Sequence, residues 1–201
     1  MPVIESTVTI LILWAVIGYL LGSIPFGMVL AKLMNLGNLR EIGSGNIGAT
    51  NVLRTGNKAA ALGTLILDGG KGAVAVLIAR VLAGEDAAQL AGLMAFLGHC
   101  YPVWLGFKGG KGVATFLGLM LALAFPVGAL CCLAWLVTAA ISRISSLSAI
   151  VAAATSTFWV AFIGPGAIFL LSAILTLLVF WRHRENIARL RDGTEPKIGK
   201  K

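Results

Sequence analysis

The sequence predicts an all-α integral membrane protein of about seven transmembrane helices, folded as a single domain over residues 1–201. Three observations predict it. Hydrophobic residues make up 58% of the chain and charged residues only 12%, half of the roughly 25% with which a soluble domain covers its surface. Apolar runs recur at lengths near the roughly 20 residues that a spanning helix needs. The cations, sixteen Lys and Arg against eight Asp and Glu for a net charge of +8, gather on alternate connections between those runs, which is the positive-inside pattern.

The first run, 8–33, is interrupted by Gly22-Ser-Ile-Pro-Phe-Gly27. Pro25 removes a backbone donor and predicts a kink that lines protein or a cavity rather than lipid. After a polar stretch, 34–58, the run 59–83 carries Asp68-Gly-Gly-Lys-Gly72. Each charge inside a span costs at least about 2.5–3.5 kcal/mol. Two readings stand: a structural Asp68–Lys71 pair, or a helix broken there with its glycine-rich break facing an anion. Glu85 and Asp86 mark a turn, and a third span runs over 88–107. The run 113–141 is too long for one span, and Phe125-Pro126 predicts two short helices joined by a tight turn. Spans over 145–163 and 165–181 follow, separated by Gly164, and the basic tail 182–201 completes the chain.

Orientation follows from the charges. Lys32, Arg40, Arg54, Lys58, Lys108, Lys111, Arg143 and the seven cations of the tail fall on one set of connections. The other set carries Glu5, Glu85 and Asp86, with Arg80 as its exception. This predicts the N-terminus outside, the C-terminus in the cytoplasm and the polar motifs together on the cytoplasmic face. No Lys or Arg precedes the first apolar run, so it does not read as a cleaved signal peptide. Cys100, Cys131 and Cys132 have neither metal nor disulfide spacing and read as packing residues. Too few His, Cys and clustered carboxylates are present for a metal site, and no basic stripe interleaved with aromatics points to nucleic acid.

The polar stretch Arg40 to Arg54 packs Gly43, Gly45, Gly48, Ser44, Asn46, Thr50 and Asn51 between two arginines. Glycines admit positive φ and bring backbone N–H groups up to a ligand, and the side chains are mostly donors, which suits an anion. Two segments, Asp68-Gly-Gly-Lys-Gly and Lys108-Gly-Gly-Lys-Gly, place a glycine pair before Lys71 and Lys111. Near a helix N-terminus that arrangement is a phosphate site. It is not a nucleotide P-loop, because Leu105 stands where the first glycine belongs and Gly112 follows Lys111. His183, Glu185 and Asn186 offer a proton acceptor, an orienting carboxylate and an amide within four residues. The plainer alternatives are a helix-end role for His99 and headgroup contacts for the segment around His183.

Together these segments resemble the PlsY family of bacterial membrane glycerol-3-phosphate acyltransferases. The resemblance runs through Gly22–Gly27, Gly43–Arg54, Asp68–Gly72, Gly98–Thr115, Arg143–Leu147, His183–Ile187 and Gly193–Gly199. It implies transfer of an acyl chain from long-chain acyl phosphate to the 1-hydroxyl of glycerol 3-phosphate. The products would be lysophosphatidic acid and phosphate, made without a cofactor in the bacterial cytoplasmic (inner) membrane, with membrane lipid as neighbour and no nucleic acid partner. On that resemblance Ser44, Arg54, Lys108, His183 and Asn186 are the expected catalytic residues. Phosphate and substrate binding falls to Gly43, Gly45, Asn46, Thr50, Asn51, Gly69, Gly70, Lys71, Gly109, Gly110, Lys111, Ser142, Arg143 and Glu185. The rival reading is a transporter or channel for a phosphate-bearing solute, which also uses broken helices and cationic glycine loops. Against it stand the lack of an inverted repeat and the one-sided polar groups.

Overall fold

The computed structural model describes residues 2–199; Met1 and the tail cations Lys200 and Lys201 lie outside the described residues. Ten α-helices and two single-turn 3-10 segments make up the fold, with no strand among the described residues. Helix α1 (Val8–Gly22) begins at Thr7, whose hydroxyl accepts from Ile10 N–H. It stops before Pro25, and α2 (Phe26–Leu33) continues the span after the break. The polar stretch folds as a loop closed by α3 (Ala49–Leu53).

Helix α4 (Lys58–Ala83) corrects the expectation of a helix broken at Asp68–Gly72, because it is continuous over 26 residues. Each glycine there costs a helix only about 1 kcal/mol, and the segment contains no proline. The charges are answered inside the protein: Lys71 Nζ donates to Asp68 Oδ1 and to the Ile24 carbonyl, both at 2.8 Å. Helix α5 (Glu85–Cys100) ends earlier than the expected span. Pro102 and the 3-10 turn Val103–Leu105 turn the chain back. The long apolar run does divide at Phe125, into α6 (Val113–Leu123) and α7 (Phe125–Ser142), with Pro126 in the first turn of α7. Helix α8 (Ser145–Ile163) matches its predicted span. A 3-10 turn (Gly166–Ile168) leads into α9 (Phe169–Arg182), and the chain then bends by 61° into α10 (Arg184–Arg191), a helix the pattern did not predict.

By length and composition, Val8–Leu33, Phe125–Ser142 and Ser145–Ile163 suffice to cross a bilayer, and the bent pair α9–α10 makes a fourth if counted as one. Helices meet through small residues, as they do where no hydrophobic force separates protein from lipid. A Cβ at Gly18, Gly22 or Gly98 would overlap the backbone where α1 crosses α5. At the α4–α6 crossing, Gly118 lies against the backbone of Gly69, and Thr115 Oγ1 donates to the Asp68 carbonyl at 2.9 Å. Short α6 therefore lies between α4 and α7 and forms the bed of a groove.

Candidate active site

A cavity of about 620 Å³ occupies that groove and the loops above it. One part of it is apolar, walled by Leu65 and Ile66 of α4, Leu117 and Leu121 of α6, and Trp135 and Leu136 of α7. Its other end is lined by Ser44, Arg54, Lys111, His183, Asn186 and Glu195.

The loop 40–54 is built around Asn51, which is 3% exposed. Its Nδ2 donates to the carbonyls of Leu39 and Asn46, at 2.9 and 2.7 Å, and its Oδ1 accepts from Ser44 N–H at 3.2 Å. Gly43 has φ 53°, and a Cβ there would overlap Arg54 Nη1. Glycine at that position therefore lets the Arg54 guanidinium lie along the loop. Thr50 Oγ1 lies 3.0 Å from Ser145 Oγ, joining the loop to the start of α8.

The second Gly-Gly-Lys segment works differently from expectation. The N–H groups of Gly109 and Gly110 donate back to the carbonyls of Cys100 and His99 at 3.1 Å, capping the end of α5. Neither glycine lines the cavity. What the segment does present is Lys111 and, past left-handed Gly112 (φ 81°), the N-terminus of α6 at Val113 and Ala114. Unpaired N–H groups of a first helical turn and an ammonium together favour an anion. Lys111 is half-buried and its Nζ donates to Asn186 Oδ1. Burial lowers its pKa, and Arg189 nearby adds to the effect.

His183, at the bend between α9 and α10, is 2% exposed. Its Nδ1 donates to the Val179 carbonyl at 2.8 Å, which leaves Nε2 as an acceptor. Burial holds its pKa down to about 4; Lys111 adds to this while the Val179 carbonyl opposes it, so the ring is neutral at physiological pH.

Seven expected positions fall outside the cavity in addition to Gly109 and Gly110: Gly43, Gly45, Lys71, Lys108, Ser142, Arg143 and Glu185. Lys71 is held by Asp68 and Ile24, so the structural reading of that pair is the one realised. Lys108 is exposed and does not line the cavity, and its carbonyl accepts from Arg40. Ser142 Oγ donates to Thr138 O at 2.7 Å and accepts from Ile144 N–H. Arg143 (φ 60°) holds the tail instead, its carbonyl accepting from Ile198 N–H at 2.6 Å. Glu185 is exposed and is not the carboxylate beside Asn186. Gly69 and Gly70 do line the cavity, as do Asn46, Thr50 and Asn51, while Gly43 and Gly45 shape the loop behind them.

Glu195 takes the place expected of Glu185. It accepts from Ser146 Oγ at 2.6 Å and from Asn186 Nδ2 at 2.5 Å, and pairs with Arg189 at 2.7 Å. Burial pushes its carboxyl up, and the three donors outweigh it, so its pKa lies below the usual value. The segment Gly193–Gly199 belongs to the resemblance, but its chemistry alone does not single out Glu195, since its partners come from α8 and α10. Asp68 and His99 also line the cavity, their side chains 3.7 Å apart.

A family model described as glycerol-3-phosphate acyltransferase matches residues 12–193. A glycerol-3-phosphate acyltransferase of Ruegeria pomeroyi is 70% identical over 201 residues, covering 100% of this chain and 99% of that protein. One of Roseobacter denitrificans is 70% identical over 199 residues, covering 98% and 99%. Among solved structures, PlsY, an integral membrane glycerol 3-phosphate acyltransferase, matches in its glycerol 3-phosphate form with a TM-score of 0.88 and 41% identity, covering 94% of this chain and 96% of that one. Its lysophosphatidic acid form matches with a TM-score of 0.85 and 39% identity, covering 94% and 95%. The family model and these identities over nearly the whole length are decisive: this chain belongs to the integral membrane glycerol-3-phosphate acyltransferase family.

Proposed function

We propose that this protein transfers a fatty acyl group from long-chain acyl phosphate to the 1-hydroxyl of glycerol 3-phosphate. The products are 1-acyl-glycerol 3-phosphate (lysophosphatidic acid) and inorganic phosphate, and the step is the first acylation of phospholipid synthesis. The observation that carries the reading is one cavity joining a cationic, donor-rich end to an apolar groove. Both substrates bring a phosphate and one brings an acyl chain, which is what those two parts suit. The solved PlsY forms with glycerol 3-phosphate and with lysophosphatidic acid lend further support.

In this reading Arg54, Lys111 and the first turn of α6 hold phosphate, with Ser44, Asn46 and Thr50 completing the contacts. The hydroxyl oxygen attacks the acyl carbonyl carbon, the bond from that carbon to the phosphate oxygen breaks, and phosphate leaves. His183 Nε2 orients the hydroxyl or accepts its proton, and the donor phosphate is the alternative acceptor. Asn186, held by Glu195, keeps Lys111 in place. The donor is already activated, so positioning and charge stabilisation supply the catalysis. The chain acts as one domain in the bacterial inner membrane. It crosses seven times, with α1–α2, α4, α5, α6, α7, α8 and α9 as spans, the N-terminus outside and the site at the cytoplasmic face.

The experiment is phosphate release by purified, detergent-solubilised protein given palmitoyl phosphate, with and without glycerol 3-phosphate. Release that requires glycerol 3-phosphate and equals the lysophosphatidic acid formed is the expected result. Folded protein that releases none overturns the proposal.

A further inference from the structure

We infer that His99 is a positioning residue for the phosphate-binding end of the cavity, acting through Gly110 on Lys111 and the N-terminus of α6. The inference rests on the acyl-transfer reading and adds to it a residue placed outside the reacting groups.

The observations form one contiguous path. Helix α5 ends with free carbonyls at His99 and Cys100, and the returning chain caps them with the N–H groups of Gly110 and Gly109 at 3.1 Å. The cap seats Gly110 directly on the His99 ring: a Cβ at Gly110 would overlap Nε2 and lie 3.0 Å from Cδ2 and Cε1. Arg182 also holds this residue, donating to the Gly110 carbonyl at 2.9 and 3.2 Å while its guanidinium lies 4.9 Å over the Tyr101 ring. Gly110 thus meets both an imidazole and a guanidinium. The next residue is Lys111, whose ammonium meets Asn186, and α6 begins two residues later. The height of the ring therefore sets the height of the ammonium and of the first helical turn.

The ring itself is 4% exposed, and its Nδ1 has no hydrogen-bond partner among the described residues. Asp68 Oδ1 stands 3.7 Å from it, already engaged by Lys71. Packing against Gly110 and the buried Asp68–Lys71 pair holds His99 in place. The ring's shape is what the site uses.

Shape makes the inference testable by size compensation. A misplacement of about 1 Å at a reacting centre costs on the order of 10²-fold. His99→Ala is expected to raise KM for glycerol 3-phosphate about 10-fold or more with a smaller change in kcat, and His99→Gln to recover part of that loss. Gly110→Ala alone is expected to be impaired in the same direction. Combined with His99→Ala it should be better than Gly110→Ala alone, because the added methyl enters the space the ring left. Binding is read separately as the rise in melting temperature caused by glycerol 3-phosphate in detergent, which should shrink in His99→Ala and return in part in His99→Gln. Folded His99→Ala with unchanged KM and unchanged ligand stabilisation overturns the inference, as does a double variant no better than Gly110→Ala. If His99→Ala does not fold, His99→Gln and the Gly110 pair decide on the same readouts. Wild-type protein that is stabilised by glycerol 3-phosphate but makes no product refutes the transfer reading, and the stabilisation assay still decides the role of His99.

Discussion

Asn186 Nδ2 donates to Glu195 Oε1 at 2.5 Å, tying α10 to the C-terminal tail beside the cavity. Since the same amide accepts from Lys111, the carboxylate fixes which way Asn186 points. Glu195→Ala leaves Asn186, Ser146 and Arg189 without their acceptor. A stability loss of about 1–3 kcal/mol is expected, with a fall in transfer rate, and Glu195→Gln should be milder. Thermal unfolding in detergent alongside turnover checks both.

His183 is expected to matter for rate more than for binding. General acid–base contributions run to about 10²–10⁴-fold, and His183→Ala should lose within that range while retaining measurable turnover, because the donor phosphate can take the proton. Complete loss with both substrates still bound would count against the phosphate as acceptor.

The same residue gives a pH signature. The folded pKa is held down to about 4, against an ordinary histidine value near 6.5. Below about 6.5 the unfolded chain takes up a proton that the folded chain refuses, so stability falls with pH until the folded ring also protonates near 4. The full effect is on the order of 3 kcal/mol. Unfolding midpoints from pH 7 to 4 should slope less in His183→Asn than in wild type, and equal slopes would contradict the assignment.

Lys71 tests the corrected reading of the first Gly-Gly-Lys segment. Removing one partner of a buried pair costs about 3–5 kcal/mol, so Lys71→Met should destabilise strongly and Asp68→Asn with Lys71→Met should recover much of the loss. KM for glycerol 3-phosphate in the double variant should stay near wild type. A large KM rise there would return Lys71 to the binding site.

Gly43→Ala addresses the loop. A methyl at that left-handed position meets Arg54 and Asn51, so the guanidinium must move. The expected result is a rise in KM of about 10-fold or more, with a stability loss of about 1–2 kcal/mol from alanine at positive φ. Initial rates against each substrate will show which phosphate Arg54 serves.

Much of the fold was legible because its signals are local. Apolar runs, Pro25, Phe125-Pro126 and Gly164 mark where helices start and stop, and each works through its own backbone. The cavity residues Ser44, Arg54, Lys111, His183 and Asn186 were legible as chemistry, since donors and glycines are rare in so apolar a chain. The errors came where a residue's partner is distant. Asp68-Gly-Gly-Lys-Gly72 and Lys108-Gly-Gly-Lys-Gly112 look alike in sequence. One continues a helix because Ile24 and α6 pack against it, and the other ends in a helix N-terminus because it caps α5.

The sequence by itself determined the membrane solvent, the helical class, most helix limits and the family, because composition, periodicity and motif order are properties of the chain alone. Only the tertiary structure decided that Glu195 rather than Glu185 meets Asn186, that Lys71 pairs with Asp68 and Ile24, and that the His99 ring lies against Gly110. Those outcomes depend on which helices cross and how closely. Here small residues let backbones touch, and that contact selects the partner each polar group finds out of water.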